Sequence, residues 1–177
     1  MSTSHPADAI GAARIASTRW RIDPIRSDVE FQARTLWGMG SVKGRFTRYH
    51  GTLDLRAQPA VELTIEAGSI DTRNKRRDKH LQSGDFFGVD AHPYVRFVSE
   101  AADLDGERLT VRGRLHARGG SMPLTLEATL RPIRDQLEIE AVTEADQRKL
   151  GMTWNVLGVV GSPTELMLKG RLMRDEA

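Results

Sequence analysis

From Val61 to Ala67 apolar and polar residues alternate without a fault, and from Leu109 to His116 the same two-residue period returns. Successive side chains of a strand leave on opposite faces, so this period describes a strand with one wet and one buried side. Shorter runs repeat it: Val29, Phe31 and Ala33; Leu53 and Leu55; Val95 and Phe97; Leu124 to Leu130; Leu137, Ile139 and Ala141; Met152 to Val160; and Leu166 to Met173. Trp20 to Asp23 alternates and stops at Pro24, which reads as a short edge segment. Asp105-Gly106 and Gly119 to Pro123 are turns.

No helical pattern alternates with these strands, which argues against a parallel sheet and for an antiparallel sandwich or barrel. Between Leu36 and Gly51 glycines interrupt the pattern. Trp37, Val42 and Phe46 are its apolar anchors, and we read it as an irregular segment, with a helical turn, covering one end of the sheet. The 177 residues suit one domain able to bury ~70% of its unfolded surface. Residues 1–18, rich in Ser, Ala and Pro at their start, read as a flexible tail, and 19–175 as a single barrel domain.

A barrel of about eight strands is just wide enough to be filled by its own side chains or to hold one small ligand. The inward pattern includes Ala33, Ala67, Gly113, Ala128, Ala141 and Gly170. Small residues there leave room inside, or they mark bends and bulges at barrel corners. Both readings stand at this point.

Ser69 to Phe97 breaks the strand pattern. A basic stretch that reads as a short helix near residues 73–82 leads to Asp85-Phe86-Phe87, and Pro93 precedes the next strand. The series Ser69-Ile70-Asp71-Thr72, Arg77-Asp78-Lys79-His80-Leu81, Ser83, Asp85-Phe86-Phe87, Pro93 and Phe97 resembles the signature of the YceI-like, polyisoprenoid-binding family. Trp20, Ile22-Asp23, Ser27, Val42, Gly44, Phe46, Gly51, Leu53, Gly113, Leu115, Pro123, Leu124, Arg148 and Gly151-Met152 agree with it in order. The resemblance covers about Arg19 to Arg174. It departs at Gly88, where Asp is usual, at His92, where an aromatic is usual, and at Lys149 and Leu150.

The resemblance implies an all-β, extended antiparallel, lipocalin-like barrel whose lumen holds a long apolar chain: a polyisoprenoid, an isoprenoid quinone or a fatty-acyl amphiphile. It implies carriage without catalysis. No cofactor is then required, and a bound isoprenoid or other lipid is the expected small-molecule partner. The lining candidates are Phe31, Trp37, Phe46, Leu81, Phe86, Phe87, Phe97, Leu115, Met152 and Trp154, each of which would also serve as ordinary core. A polar head group would meet Arg77, His80 and Arg73 at the mouth, since a guanidinium can hold phosphate or carboxylate with two parallel hydrogen bonds. Asp78 is expected to make a structural ion pair, with Arg148 as one partner, or to satisfy backbone amides.

No catalytic or metal residues are assigned. Gly119 to Pro123 lacks the glycine of a nucleophile elbow, and the five histidines are scattered without zinc-ligand spacing. Glu138 and Glu140 share the outward face of their strand. The chain has no cysteine and no apolar run near the ~20 residues of a membrane span. Arg14 interrupts the N-terminal apolar stretch, so no secretory signal is read and a cytoplasmic location is expected, although family members are often periplasmic or secreted.

The net charge of +2 does not by itself mark a nucleic-acid binder, and no nucleic-acid partner is expected. The rival reading is an anion- or nucleic-acid-binding module using Arg73 to Lys79 on a packed barrel, but no aromatic residue interleaves with that cluster to stack bases. A partly covered sheet edge would allow a homodimer.

Overall fold

The computed structural model describes residues 15, 17–34, 40–152 and 163–175. Among these residues there are eleven strands: β1 (Arg19–Ile22), β2 (Asp28–Arg34), β3 (Ser41–Phe46), β4 (Tyr49–Asp54), β5 (Ala60–Glu66), β6 (Ile70–Asp71), β7 (Tyr94–Asp105), β8 (Arg108–Ala117), β9 (Gly120–Ile133), β10 (Gln136–Ala145) and β11 (Thr164–Arg174). A short helix, α1 (Lys75–Gln82), follows β6, and 3-10 turns occupy Ala67–Ser69 and Gln147–Leu150. All pairings are antiparallel, and β1 joins β4 on one side and β11 on the other, which closes the sheet.

Three of the ring's eight positions are broken strands. β1 and β2 both pair with β11 at different levels, β4 pairs with β5, and β3 pairs with β6. The pairs β1/β2, β3/β4 and β5/β6 therefore each make one wall with a step in it. The resulting closed, eight-strand antiparallel barrel with one short helix is the architecture expected from the sequence.

Buried serines close two of these steps. The Ser27 hydroxyl accepts from the Arg171 backbone N–H at 3.1 Å and donates to the Arg171 carbonyl, so it stands in for a missing ladder partner between β1 and β2. A Cβ on Gly170 would lie 2.0 Å from Ser27 Oγ, which is why glycine occupies that place. Ser69 acts likewise: its hydroxyl accepts from the Arg48 N–H at 3.1 Å and donates to Glu66 O at 2.7 Å, while its carbonyl accepts from the Thr47 N–H. Buried backbone groups left without partners would each cost ~1–3 kcal/mol, so these hydroxyls make the steps affordable.

Gly113 faces the register shift of β7 between Ser99 and Ala101, and a Cβ there would come within 2.3 Å of the Val98 carbonyl oxygen. Gly113 and Gly170 thus mark close approaches in the wall. Ala128 and Ala141 instead line the interior cavity. Both readings of the small inward residues hold, at different positions.

Three local expectations change. The segment read as irregular holds β3 and β4; Gly44 masks the alternation because it yields its inward space to Phe31, whose ring would lie 2.5 Å from a Cβ there. β1 is paired on both sides, so Pro24 marks the step into β2 and not a sheet edge. The β8–β9 turn is Arg118-Gly119, with φ of 51° and 75°, and Gly120 to Pro123 already belong to β9. The expected strand from Met152 to Val160 lies, beyond Met152, outside the described residues. No helix among the described residues is long and apolar enough to cross a membrane.

Tyr49 reaches across the first step, its hydroxyl donating to the Ser27 carbonyl. Burial, then the charges of Asp28 and Asp23, raise its pKa above the ordinary 10.0. A raised pKa means the contribution is complete below the unfolded-state value and is lost as pH rises through the folded value. Tyr49→Phe should cost about 1–2 kcal/mol near neutral pH. Urea midpoints of the two proteins should converge as pH is raised past 10.0; a gap that widens would contradict this account.

Candidate functional site

Among the described residues, two apolar cavities stand out in the interior. The larger, of about 190 Å³, lies within the main barrel, where Leu53, Leu63, Phe97, Leu115, Leu124 and Ile139 are among its walls. Its surface is almost wholly apolar. A dry apolar cavity of ~150 Å³ already suffices to bind benzene, so this space can take part of a hydrocarbon chain. The second, about 90 Å³, lies between β2, β3 and β6 on one side and α1 with the following turn on the other.

Phe46, Phe87 and Leu166 line both cavities. The rings of Phe46 and Phe87 meet edge to face with centroids 6.0 Å apart, Phe31 lies 5.7 Å from Phe46, and Phe86 lies 5.0 Å from Phe87. The rings of Phe46 and Phe87 and the side chain of Leu166 are thus part of the wall that the two cavities share. Rotamer changes can open such a barrier, whereas a strand could not move aside without breaking its ladder.

The turn that carries these rings folds back onto the end of α1. Ser83 N–H and its hydroxyl both donate to His80 O, Phe87 N–H to Leu81 O, and Gly88 N–H to Ser83 O. Gly88 has φ of 59°, a left-handed conformation that Asp, Asn and Gly tolerate better than other residues, which rationalises a glycine where Asp is usual. His92 lies against the β8–β9 turn, 3.0 Å from where a Cβ of Gly119 would be. Arg118 ties the turn down further, donating to Asp85 O and Gly151 O.

Of the lining residues named from sequence, Phe97, Leu115 and Met152 face the larger cavity, Phe31, Leu81 and Phe86 the smaller, and Phe46 and Phe87 both. Trp37 and Trp154 lie outside the described residues. Leu166, Thr164, Leu150 and the alanines 117 and 145 also line the space. For Leu166 and the alanines the inward phase of the alternation was the available signal. Which alternating residues meet a void depends on barrel closure, which no local pattern reports.

The three mouth candidates separate. Arg77 borders the smaller cavity, and its Nε and Nη2 donate to Thr72 Oγ1 at 2.8 Å and Thr72 O at 2.9 Å. Asp78 accepts from the Thr72 N–H and hydroxyl, so it satisfies a backbone amide as expected. Arg148 pairs instead with Asp146, whose carboxyl it holds below the usual range through a side-chain hydrogen bond. His80 does not line either cavity and approaches Asp85 at 4.0 Å. Arg73 precedes the helix with φ of 59°, exposed and away from both cavities, because Asn74 is the N-cap that accepts from Arg77 N–H. No group of three or more potential metal ligands occurs among the described residues.

The YceI-like domain family model matches residues 20–172. A UPF0312 protein of Pectobacterium carotovorum is 33% identical over 68% of this chain and 64% of its own length. Protein YceI of Escherichia coli O157:H7 is 37% identical over 106 residues, 58% of this chain. The chain thus spans about half (55%) of the length of such a relative. Among solved structures, Burkholderia cenocepacia BcnA superposes with a TM-score of 0.77 at 17% identity, covering 85% of this chain and 98% of that one. A polyisoprenoid binding domain from Saccharophagus degradans, implicated in plant cell wall breakdown, does so with 0.68 at 11% identity, covering 89% and 99%.

Phe87→Ala removes most of the partition. We expect a loss of about 3 kcal/mol in urea unfolding, the low end for such truncations because the ring is only partly buried. A crystal structure of the variant should show one continuous cavity. A collapsed space with Phe86 filling it would show that the partition is rebuilt by its neighbours.

Proposed function

The chain belongs to the YceI-like domain family, and from that premise we propose that it binds and carries a long apolar chain in its barrel. Polyisoprenoids, isoprenoid quinones and fatty-acyl amphiphiles share the required chemistry. The observation that carries this reading is the pair of apolar cavities that share Phe46, Phe87 and Leu166 in their walls. Each buried CH₂ contributes ~0.8 kcal/mol, so length and an apolar lining are enough for tight binding. The Saccharophagus degradans neighbour, a polyisoprenoid binding domain, supports the ligand class.

The role is binding and not catalysis: so apolar a lining offers little with which to move a proton or stabilise a developing charge. A polar head group would be met by Arg77, which borders the smaller cavity and uses two of its five donors on Thr72. Its neighbours Lys75, Arg76 and Lys79 are exposed.

The test has two parts. Organic extraction of the purified protein should release an apolar compound visible by mass spectrometry, and delipidated protein should take up a fluorescent isoprenoid probe. Ala141→Trp, which fills the larger cavity, should weaken uptake at least tenfold while the circular dichroism spectrum stays that of the wild type. Equal uptake by the variant, or none by folded wild type, would overturn the reading.

A further inference from the structure

The wall of the main barrel splits between β9 and β10. Among the described residues their ladder runs from the pair Gln136 and Ile133 to the pair Val142 and Glu127 and stops there, although both strands continue. β9 goes on beside β8 as far as Gly120, and β10 goes on beside β11 as far as Ala145.

Pro123 keeps this ladder from closing. A residue of an antiparallel strand turns its N–H and C=O to the same neighbour, and the direction reverses at each step. Thr125 turns its carbonyl to β10, where it accepts from Thr143 Oγ1 at 2.7 Å. Pro123 faces the same side and has no N–H to give.

The larger cavity lies behind the split. Leu124 and Leu126 on one rim, Thr143 and Ala145 on the other, and Leu150 and Met152 just past β10 all line it. The 3-10 turn Gln147–Leu150 packs against β9 there: Leu150 is buried, and its Cα lies 3.6 Å from where a Cβ of Gly120 would be.

Side chains hold this cover in place. Gln147 Oε1 accepts from Thr164 Oγ1 at 3.0 Å, and Arg118 Nη1 donates to Gly151 O at 2.9 Å. The same nitrogen donates to Asp85 O at 3.1 Å, so Arg118 ties the cover to the turn that carries Phe86 and Phe87. Such bonds at an exposed position open without disturbing a strand ladder, whereas passage through a paired part of the wall would unzip one. The region beneath α1 is closed more firmly, by the bonds of Arg77 and Asp78 to Thr72 and of the Gln82 amide to Gly68 O.

We propose that the apolar ligand enters and leaves through the split between β9 and β10, with Gln147–Leu150 as a movable cover and Arg118 as its latch. This rests on the apolar-ligand reading above and adds the route of exchange. Arg118 touches no ligand in this scheme; it positions the cover.

The test is stopped-flow uptake and release of the fluorescent isoprenoid probe. Arg118→Asn keeps the β8–β9 turn, where φ is 51° and then 75° at Gly119, because Asn-Gly favours that geometry, and it removes the guanidinium. Uptake and release should both quicken about tenfold while the dissociation constant changes less than about twofold, a pairing that a merely structural role would not produce. Thr143→Val, which loses the bond across the split, should quicken uptake about fivefold, whereas Gln82→Ala, which loosens α1, should change it less than about twofold. The chain has no cysteine, so Gly120→Cys with Leu150→Cys supplies a single pair of thiols across the seam. Oxidation of that pair should slow uptake about a hundredfold, and dithiothreitol should restore it.

Unchanged rates in Arg118→Asn, a larger effect of Gln82→Ala than of Thr143→Val, or unhindered uptake by the oxidised double variant would overturn the route and leave the ligand reading intact. No uptake by folded wild type would overturn the ligand reading and the route with it.

Discussion

Two serine hydroxyls hold the steps on which this barrel depends. A closed sheet has no free edge, so a strand that shifts level leaves backbone donors and acceptors facing nothing. Ser27 fills that gap for β11, and Ser69 fills it where β3 passes into β4. Both residues are buried, at 7% and 5% exposure, where solvent cannot take over their role. Beyond the steps, β2, β3 and β6 enclose the smaller cavity together with α1.

The rest of the architecture keeps that space apolar. The N-cap of α1, the Arg77 and Asp78 bonds to Thr72, and the Gln82 amide on Gly68 O anchor the helix across the step. Alanines on β9 and β10 supply width where leucines would fill the lumen. Charged residues pair outside, as Lys169 with Glu140 at 2.7 Å, and such exposed pairs contribute only ~0–1 kcal/mol each. Interior space and exterior charge are thus settled by opposite faces of the same strands.

How much of this is legible in the sequence follows from what each feature depends on. β5, β8, β9 and β10 have clean alternation because nearly every inward position bears an apolar side chain, and their strands stand out. β3 does not, since Gly44 breaks its column for a reason located on another strand, in Phe31. The steps are hidden as well: Ser27 and Ser69 look like ordinary turn residues until their distant partners, Arg171 and Arg48, are in place. Asp78 reads as satisfying backbone amides or forming an ion pair, because a carboxylate beside a helix start has local donors within reach. His80 falls at the mouth on helical spacing alone, and spacing does not say which face of a helix meets a cavity.

The central claim is that one ligand chain occupies both cavities, passing Phe46, Phe87 and Leu166. Dissociation constants for straight-chain prenols of increasing length test it most directly, compared between wild type and Leu166→Trp, whose indole would block the junction. Affinity for wild type should keep rising, by up to ~0.8 kcal/mol per added CH₂, beyond the length at which the variant levels off. Identical length profiles for the two proteins, both levelling at the same chain, would contradict it.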